Sequence, residues 1–419
     1  MCATKDVTVQ QTSRTTAGRQ TGWTVIANHD FRVFLAGRAL ASLSLLMLGV
    51  AVGWHVYDLT RSAFALGMVG LVQFLPALLF ALPAGLAADR FERRSILLAG
   101  YALEIFVALV LLAMSLFAVT RAALIFPVVA LIGVGQAFIN PAGQSLVPFL
   151  VRREDFPRAV AWSSSVFQVA VIAGPALGGL LYAFGPSGVY AAAAGGMTIS
   201  AVLISRIRAR IVVASSANPG FEGLMMGLRF VFSRPILLGA LSLDLFAVLL
   251  GGATALMPIF ARDILNVGSW GMGLLRSAPA VGAAAVALVI AQRPISRRAG
   301  PLMLICVTLF GGLTIVFGLS HSFILSLAVL TSLGAVDMVS VVVRQTMVQL
   351  NTPDEYRGRV SSVNSIFIGA SNQLGEFESG ATAAFLGAPL AVILGGVGTI
   401  AVVLVWTRLF PQLGKVDSL

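Results

Sequence analysis

Several ionisable residues of this chain lie inside long apolar stretches. An ionisable side chain surrounded by lipid is costly unless it is neutral, paired or in contact with a water-filled cavity. Such a group is suited to binding a proton or a charged part of a substrate, and the alternative is a buried ion pair with a structural role. The candidate proton or substrate sites are the ionisable residues Asp337, Arg344, Glu376, Glu378, Glu104 and Asp244, together with the polar residue Asn372.

The spacing of these candidates predicts which of them share a helix face. Asp337 and Arg344 are seven residues apart, which puts them on one face about two turns apart. Glu376 and Glu378 are two residues apart and point to different faces, so we expect at most one of them to face a cavity. Asn372 precedes Glu376 by four residues and can share its polar face.

The composition around these residues is that of a membrane protein. The chain has 419 residues, of which 58% are hydrophobic and 11% are charged, whereas a soluble domain has roughly a quarter charged residues. An apolar stretch of about 20 residues can cross a bilayer as a helix. The sequence therefore predicts an all-α membrane protein with twelve transmembrane helices at 33–57, 63–86, 95–117, 122–149, 160–184, 187–205, 236–260, 271–292, 300–319, 322–346, 358–384 and 388–408.

Basic residues predict the orientation of these spans. With both termini in the cytoplasm, the outer loops contain only Arg61, Arg121 and Arg262. Positive residues favour the cytoplasmic side, so this topology is preferred over its inverse. The arginines that fall within spans are Arg38, Arg276 and Arg344.

The spans divide into two groups of six. The predicted organisation is a cytoplasmic tail (1–32), an N-terminal six-helix bundle (33–205), a cytoplasmic linker (206–235), a C-terminal six-helix bundle (236–410) and a second cytoplasmic tail (411–419). Apolar residues recur at helical spacing in the linker, which predicts an amphipathic helix on the inner membrane surface. These residues are Phe221, Leu224, Met225, Leu228 and Phe232.

The two bundles carry a weak internal repeat. A shift of 201 positions aligns Gly179 with Gly380, and it aligns Pro175 with Glu376. Parallel repeats related by an axis along the membrane normal are typical of secondary transporters, so this repeat predicts two pseudo-equivalent halves.

The loop after the second span contains five charges in a short motif. Gly85 to Arg94 reads GLAADRFERR, and this pattern resembles the cytoplasmic loop signature of the major facilitator superfamily of transporters. The resemblance implies a cytoplasmic gate in which Asp89 accepts hydrogen bonds from the start of helix eleven and the arginines pair with acids after helix four. The gate residues are then Gly85, Asp89, Arg90, Arg93, Arg94, Glu154 and Arg359. The alternative is that the arginines only set the topology.

The fifth span carries a second motif, GPALGG. It resembles the Gly-Pro signature of exporters and antiporters in the same superfamily, with Gly174, Pro175, Gly178 and Gly179 as its residues. Glycine lets two helices approach closely and proline bends a helix, although close packing alone would also explain the glycines. The segments WHVYDLTRS (54–62) and TPDEYRGRV (352–360) resemble the bacterial branch of enterobactin exporters and drug-efflux permeases.

The resemblance implies a secondary active transporter of the bacterial cytoplasmic membrane that acts as a monomer. Its expected activity is export of a small amphipathic molecule, siderophore or drug-like, by alternating access in exchange for protons. Import or facilitated passage of a small metabolite on the same fold remains the alternative. Many proton-coupled exporters of the superfamily have an arginine in helix four, and this chain has none between Arg121 and Arg152.

The sequence argues against other function classes. It has no Gly-rich phosphate loop followed by Lys and Ser or Thr, so we expect no ATP binding. It has no basic run with interleaved aromatic residues, so we expect no nucleic-acid partner. The two cysteines, Cys2 and Cys306, form no metal-binding pattern, and no catalytic cluster is evident, so we expect neither a cofactor nor an enzyme.

Overall fold

The structure is a computed structural model that describes residues 25–208, 220–293, 295 and 297–417. Within these ranges the chain is almost entirely helical. The α-helices are α1 (His29–Thr60), α2 (Ala63–Arg90), α3 (Arg93–Leu116), α4 (Ile125–Leu150), α5 (Phe156–Tyr182), α6 (Pro186–Ser205), α7 (Gly220–Ser233), α8 (Pro235–Gly251), α9 (Met257–Ile259), α10 (Gly268–Gln292), α11 (Ala299–Leu319), α12 (Phe323–Leu350), α13 (Asp354–Leu386) and α14 (Ala388–Leu409). Most of the cytoplasmic tail predicted at 1–32 and part of the predicted linker lie outside the described residues.

Helix ends extend beyond the apolar stretches because polar side chains cap them. The Asn28 side chain accepts hydrogen bonds from the backbone N–H groups of Asp30 and Phe31, so α1 begins at His29 rather than at residue 33. Its amide also donates to the carbonyl oxygen of Leu150 at 2.8 Å, which ties the start of α1 to the end of α4. A capped first turn satisfies backbone N–H groups that lack partners within the helix.

The seventh span is not the single helix predicted at 236–260. Helix α8 ends at Gly251, and the chain continues as a 3-10 turn (Ala253–Leu256), α9 and a π-helical turn (Phe260–Ile264). Gly252 lies against the backbone of Gly375 in α13, where a Cβ atom would be 3.0 Å from the carbonyl carbon. The break therefore lets this segment approach α13 closely.

Eleven spans of the described residues are long and apolar enough to cross a membrane. The remaining long helix, α13, has 33 residues but is not among them. Its polar centre contains Glu376 and Glu378.

Helix packing repeats between the two parts of the chain, which we call the first half (α1–α6) and the second half (α8–α14). In the first half, α1 packs against α5 and α6, α2 against α4, and α3 against α4 and α6. In the second half, α8 packs against α13 and α14, α10 against α12, and α11 against α12 and α14. The halves meet where α5 contacts α10 and where α2 contacts α13.

The apolar core joins the halves at one end of the molecule only. We call the end that carries the start of α1 and the end of α14 the terminal end, and the opposite end the distal end. At the distal end, a single cluster contains Leu48 and Val107 of the first half together with Phe260 and Met272 of the second. At the terminal end the clusters are separate: one belongs to the first half, and two belong to the second half with α7.

The linker helix α7 packs against α8 and α13. Gly227 is buried against α13, where a Cβ atom would lie 2.8 Å from the carbonyl oxygen of Arg359. Phe232 is 59% exposed on another face. Leu224 and Leu228, predicted to face the membrane, pack against a core cluster of the second half.

Candidate functional site

A cavity of about 150 Å³ lies between the two halves. Glu376 borders it ten residues before the end of α13, which corresponds to about 15 Å along the helix, or half the thickness of a bilayer core. Arg276 of α10 borders it eight residues after the start of that helix. The residues around the cavity are Gly49, Gly53, Leu66, Val69, Gly70, Gln73, Ala255, Pro258, Arg276, Gln373 and Glu376.

Polar and apolar groups share the lining of this cavity. Gln73, Gln373, Arg276 and Glu376 supply the polar side chains, and apolar residues of α1, α2 and α9 supply much of the rest. Both charges of the cavity come from the second half. Sites for small molecules combine apolar walls with a few polar groups in this way.

Glu376 fits against α2 because residue 70 is a glycine. A Cβ atom at Gly70 would lie 2.8 Å from Oε2 of Glu376 and 2.9 Å from its Cβ. The neighbouring candidates Glu378 and Asn372 have other surroundings. Glu378 accepts a hydrogen bond from the Thr382 hydroxyl at 2.8 Å. Asn372 is exposed, and its side-chain amide donates to the carbonyl oxygen of Ile368. The two glutamates thus point different ways, and Gln373 rather than Asn372 lies beside Glu376 in the cavity.

The cavity is closed on its distal side by paired glycines. A Cβ atom at Gly179 of α5 would lie 2.8 Å from the Cα atom of Gly273 in α10. A Cβ atom at Gly380 of α13 would lie 2.5 Å from the Cα atom of Gly67 in α2. Gly179 and Gly380 are the pair that the internal repeat aligns, and each lies at one of the two contacts between the halves.

The helix 5 motif lies along these contacts. Gly174 and Gly178 pack against α1, where Cβ atoms would approach Leu46 and Met47, while the carbonyl oxygen of Pro175 lies beside Gly273. Further along α5, the carbonyl oxygen of Ile172 accepts a hydrogen bond at 2.7 Å from Ser277 of α10. The motif is therefore part of the surface between the halves.

Four charged residues close the distal end, and the sequence analysis did not identify them as a unit. Arg262 forms an ion pair with Asp58. Arg61 lies 3.5 Å from Asp263, which also accepts a hydrogen bond from the Tyr57 hydroxyl. The pairs join α1 to the π-helical turn of the second half. The sequence places acidic and basic residues in the outer loops, but their spacing did not indicate which of them form ion pairs.

A second polar cluster lies inside the second half. Arg344 of α12 forms an ion pair with Asp244 of α8, and their side chains are 4% and 14% exposed. Asp337 borders a small cavity together with Asp244. The structure thus brings together three of the predicted residues.

Glu104 belongs to a separate cluster in the first half. It is 1% exposed and accepts a hydrogen bond from the side chain of Gln136 in α4. Arg38 of α1 is close enough to interact with Glu104 electrostatically and also with Tyr101. Glu104 therefore lies outside the cavity between the halves.

The predicted cytoplasmic gate lies at the terminal end. Arg94 donates hydrogen bonds to the carbonyl oxygens of Ser205 and Ile207 at the end of α6. Arg93 stacks over the Phe149 ring at 4.5 Å, and Arg359 stacks over Tyr356 at 5.6 Å. These contacts stay within one half.

Among the described side chains, the remaining gate residues show no contact across the halves. Gly85 has open space around it, and exposed Arg90 ends α2. Exposed Glu154 lies in the turn before α5. The Asp89 side chain lies outside the described part of the structure, so the gate stays a prediction.

Comparison with known proteins identifies the family. Residues 20–418 match the model of the transmembrane secretion effector family. The chain belongs to this family of the major facilitator superfamily. It is therefore a multi-pass membrane transport protein rather than an enzyme.

Curated relatives of the family extend over most of the chain. The enterobactin exporter EntS of Shigella boydii serotype 18 is 29% identical over 347 residues, which cover 80% of each chain. The enterobactin exporter EntS of Escherichia coli O9:H4 is 30% identical over 347 residues, which again cover 80% of each chain.

Solved structures of low sequence identity have the same fold. A POT family transporter in complex with 5-aminolevulinic acid superimposes with a TM-score of 0.72 at 14% identity, over 91% of this chain and 96% of that one. A bacterial homologue of the iron transporter ferroportin in an inward-facing state gives a TM-score of 0.69 at 16% identity, over 92% and 98%. The chain therefore has the major facilitator fold.

Proposed function

We propose that this chain exports a small amphipathic molecule, siderophore or drug-like, across the bacterial cytoplasmic membrane in exchange for protons. The observation that carries the proposal is the cavity between the halves at the depth of Glu376, which is closed at the distal end. A binding cavity at mid-depth between two halves that can rock against each other is what alternating access requires.

The proposal takes α13 as the twelfth transmembrane helix. Its polar centre borders the cavity rather than lipid, which accounts for its lower hydropathy. The spans then form two six-helix bundles related as pseudo-repeats. The identical order of helix contacts in the two halves supports this arrangement.

The terminal end is assigned to the cytoplasm. Most basic residues of the described ranges lie there, as expected for the cytoplasmic side of a membrane protein. With this orientation, the closed distal end faces the outside, and the separate cores face the cytoplasm. The described state is then inward-facing, ready to take substrate from the cytoplasm.

The lining of the cavity supports an amphipathic substrate. The apolar wall suits an aromatic or aliphatic body, and Gln73, Gln373, Arg276 and Glu376 can orient polar groups. Relatives that are 29% and 30% identical to this chain are named enterobactin exporters, which supports a siderophore as the substrate. The two halves of a single chain enclose the cavity between them, so the proposed working unit is a monomer in lipid.

The test is transport by purified protein in liposomes with an imposed pH gradient. The probes are enterobactin, quantified by mass spectrometry, and ethidium, followed by fluorescence. Liposomes whose protein has its cytoplasmic face outward should accumulate probe when the lumen is acidic, and a protonophore should abolish this accumulation. Glu376→Gln should reduce accumulation, whereas Glu92→Gln, which changes an exposed carboxylate at the start of α3, should not.

The opposite direction of transport would favour the alternative function. Accumulation only in liposomes of the reverse orientation would indicate an importer. Equilibration that is insensitive to the pH gradient would indicate a facilitator. The substrate class would be rejected if neither enterobactin nor ethidium is transported and neither of them binds the folded protein in a thermal-shift assay.

A further inference from the structure

The second half contains a cavity that is too small for an organic substrate. Its volume is about 10 Å³, close to the ~10–15 Å³ that one water molecule needs. Asp244 of α8, Cys306 of α11, and Asp337 and Ser340 of α12 border it. It lies within one bundle and shares no lining residue with the larger cavity at Glu376.

The charges around this small cavity do not balance. Arg344 is paired with Asp244 and is the only base of α12, whereas Asp337 adds a second carboxyl group. Among the described residues, no hydrogen bond or ion pair to the Asp337 side chain is found. Two carboxyl groups therefore border the small cavity, and only Asp244 is seen paired with a guanidinium among the described residues.

The neighbouring helices supply no further base. Helices α8, α10 and α11 pack against α12. The only charged residue of α8 is Asp244, the only one of α10 is Arg276, and α11 has none. Arg276 borders the cavity between the halves. Cys306 is the remaining titratable group beside Asp337.

The first half offers an internal comparison. The shift of 201 positions aligns Gln136 with Asp337. Gln136 donates to Glu104, and Arg38 lies nearby, so this cluster has one acid and one base. The second half has a carboxyl group where the first half has an amide, and this substitution creates the excess acid.

We propose that Asp337, beside the Asp244–Arg344 pair, is the binding site of the transported proton and that it is separate from the substrate cavity. A proton adds to the Asp337 carboxylate and makes it a neutral acid. The ion pair between Arg344 and Asp244 is kept. Loss of the proton leaves two carboxylates beside the small cavity, of which Asp244 is paired with Arg344. This inference rests on the proposed function, because it assigns the proton of that exchange to a site.

The site can affect the distal closure because α8 connects them. Asp244 lies on α8, and the chain continues from α8 through the broken segment to Arg262. Deprotonation of Asp337 places a second negative charge at the cavity that Asp244 borders, and the repulsion between them would alter the contact between α12 and α8. Substrate and proton thus act at different places on the second half.

Infrared difference spectroscopy of the purified protein tests the site without any substrate. A pH titration should reveal a carbonyl stretching band of a protonated carboxyl group in the wild type. Asp337→Asn should remove the band, and Asp337→Glu should restore it at a shifted frequency. Glu376→Gln, Glu104→Gln and the exposed control Asp354→Asn should retain it.

Other spectroscopic results would overturn the proposal. Loss of the band in Glu376→Gln alone would move the proton site to the larger cavity. Loss in Glu104→Gln would move it to the first half. Absence of any titrating band, or a band that responds to sodium at constant pH, would also reject Asp337 as a proton site.

Transport separates this inference from the proposed function. In liposomes, Asp337→Asn should lose enterobactin accumulation driven by the pH gradient while retaining enterobactin exchange between equal concentrations. Full gradient-driven accumulation by Asp337→Asn would overturn the assignment. If the wild type transports neither enterobactin nor ethidium yet retains the Asp337 band, the proposed function fails and the proton site stands.

Discussion

Arg262 and Asp58 form an ion pair that connects the two halves of the molecule at its distal end. Asp58 lies near the end of α1 and accepts a second hydrogen bond from the Tyr182 hydroxyl at 3.2 Å. The Arg262 guanidinium lies over the Trp54 ring, 5.9 Å from its centre. Both charged side chains are 31% exposed, so water and salt weaken the pair without abolishing it. If the halves rock against each other as proposed, this pair must break whenever the distal end opens.

Removal of this ion pair should favour the outward-open state. For Arg262→Gln we expect a loss of about 1 kcal/mol of distal closure, typical of a partly exposed pair, or roughly a fivefold shift in population. The measurement is labelling of Gln73→Cys by a membrane-impermeant maleimide added at the distal side, in protein with Cys2 and Cys306 replaced by serine. The label should react faster in the Arg262→Gln protein.

Exchange of the two charges provides the control for that prediction. The double variant Asp58→Arg with Arg262→Asp should return labelling toward the wild-type rate, because the attraction is restored. Equal labelling rates in the wild type, the single variant and the double variant would show that the pair does not contribute to closure.

Added side-chain volume at the glycine contacts should also open the distal end. In Gly179→Ala the new methyl group would meet the Ser269 carbonyl oxygen at 2.4 Å, which is closer than a real contact allows. We expect about 1–3 kcal/mol of strain in the described state. Spin-label distances across the distal end should increase. Gly195→Ala and Gly312→Ala, which have open space, are matched controls and should leave the distances unchanged.

Removal of one member of the Asp244–Arg344 pair should destabilise the protein more than removal of one member of an exposed pair. Arg344→Met leaves Asp244 without its partner, and loss of one member of a buried pair costs about 3–5 kcal/mol. The thermal midpoint in detergent should fall well below that of the wild type. The double variant Asp244→Leu with Arg344→Met should recover much of the loss, and a double variant as unstable as the single one would argue against the pairing.

The cytoplasmic gate predicted by the sequence can be tested at Asp89. If Asp89 holds the terminal end closed during the outward-open phase, Asp89→Asn should weaken that closure. A cysteine at Gln73 should then react faster with maleimide added at the terminal side, most clearly in the Gly179→Ala background that favours this phase. Glu92→Gln in the same loop is the control, and identical rates in both variants would leave Asp89 without a gating role.

The length of the apolar stretches predicted most of the fold. Apolar stretches long enough for a bilayer determine where helices lie, because an unpaired backbone in lipid is too costly. A membrane-spanning segment is present at Pro235–Ile264, as predicted for 236–260, but it is not one continuous helix, since Gly252 allows a close approach to α13 that the apolar pattern does not reveal. The exact number of spans remains a prediction, because the polar centre of α13 resembles a soluble helix by composition alone.

The candidate site was less predictable than the fold. Intramembrane charge alone selected Asp244, Asp337 and Arg344, and the structure brings these three together. The same criterion selected Glu104, which lies in a cluster of its own. The sequence spacing could separate Glu376 from Glu378 by helix face, but it could not say which face meets the other half.

By itself, the sequence of this protein determined that the chain lies in a membrane, and it predicts an orientation and two related halves. These properties follow from composition and from short-range spacing, which act within one helix. Only the tertiary structure decided that Gly179 and Gly380 close the same end, that Arg262 meets Asp58, and that Glu376 and Asp337 border different cavities. Those contacts join residues far apart in the chain, and their geometry depends on how whole helices pack.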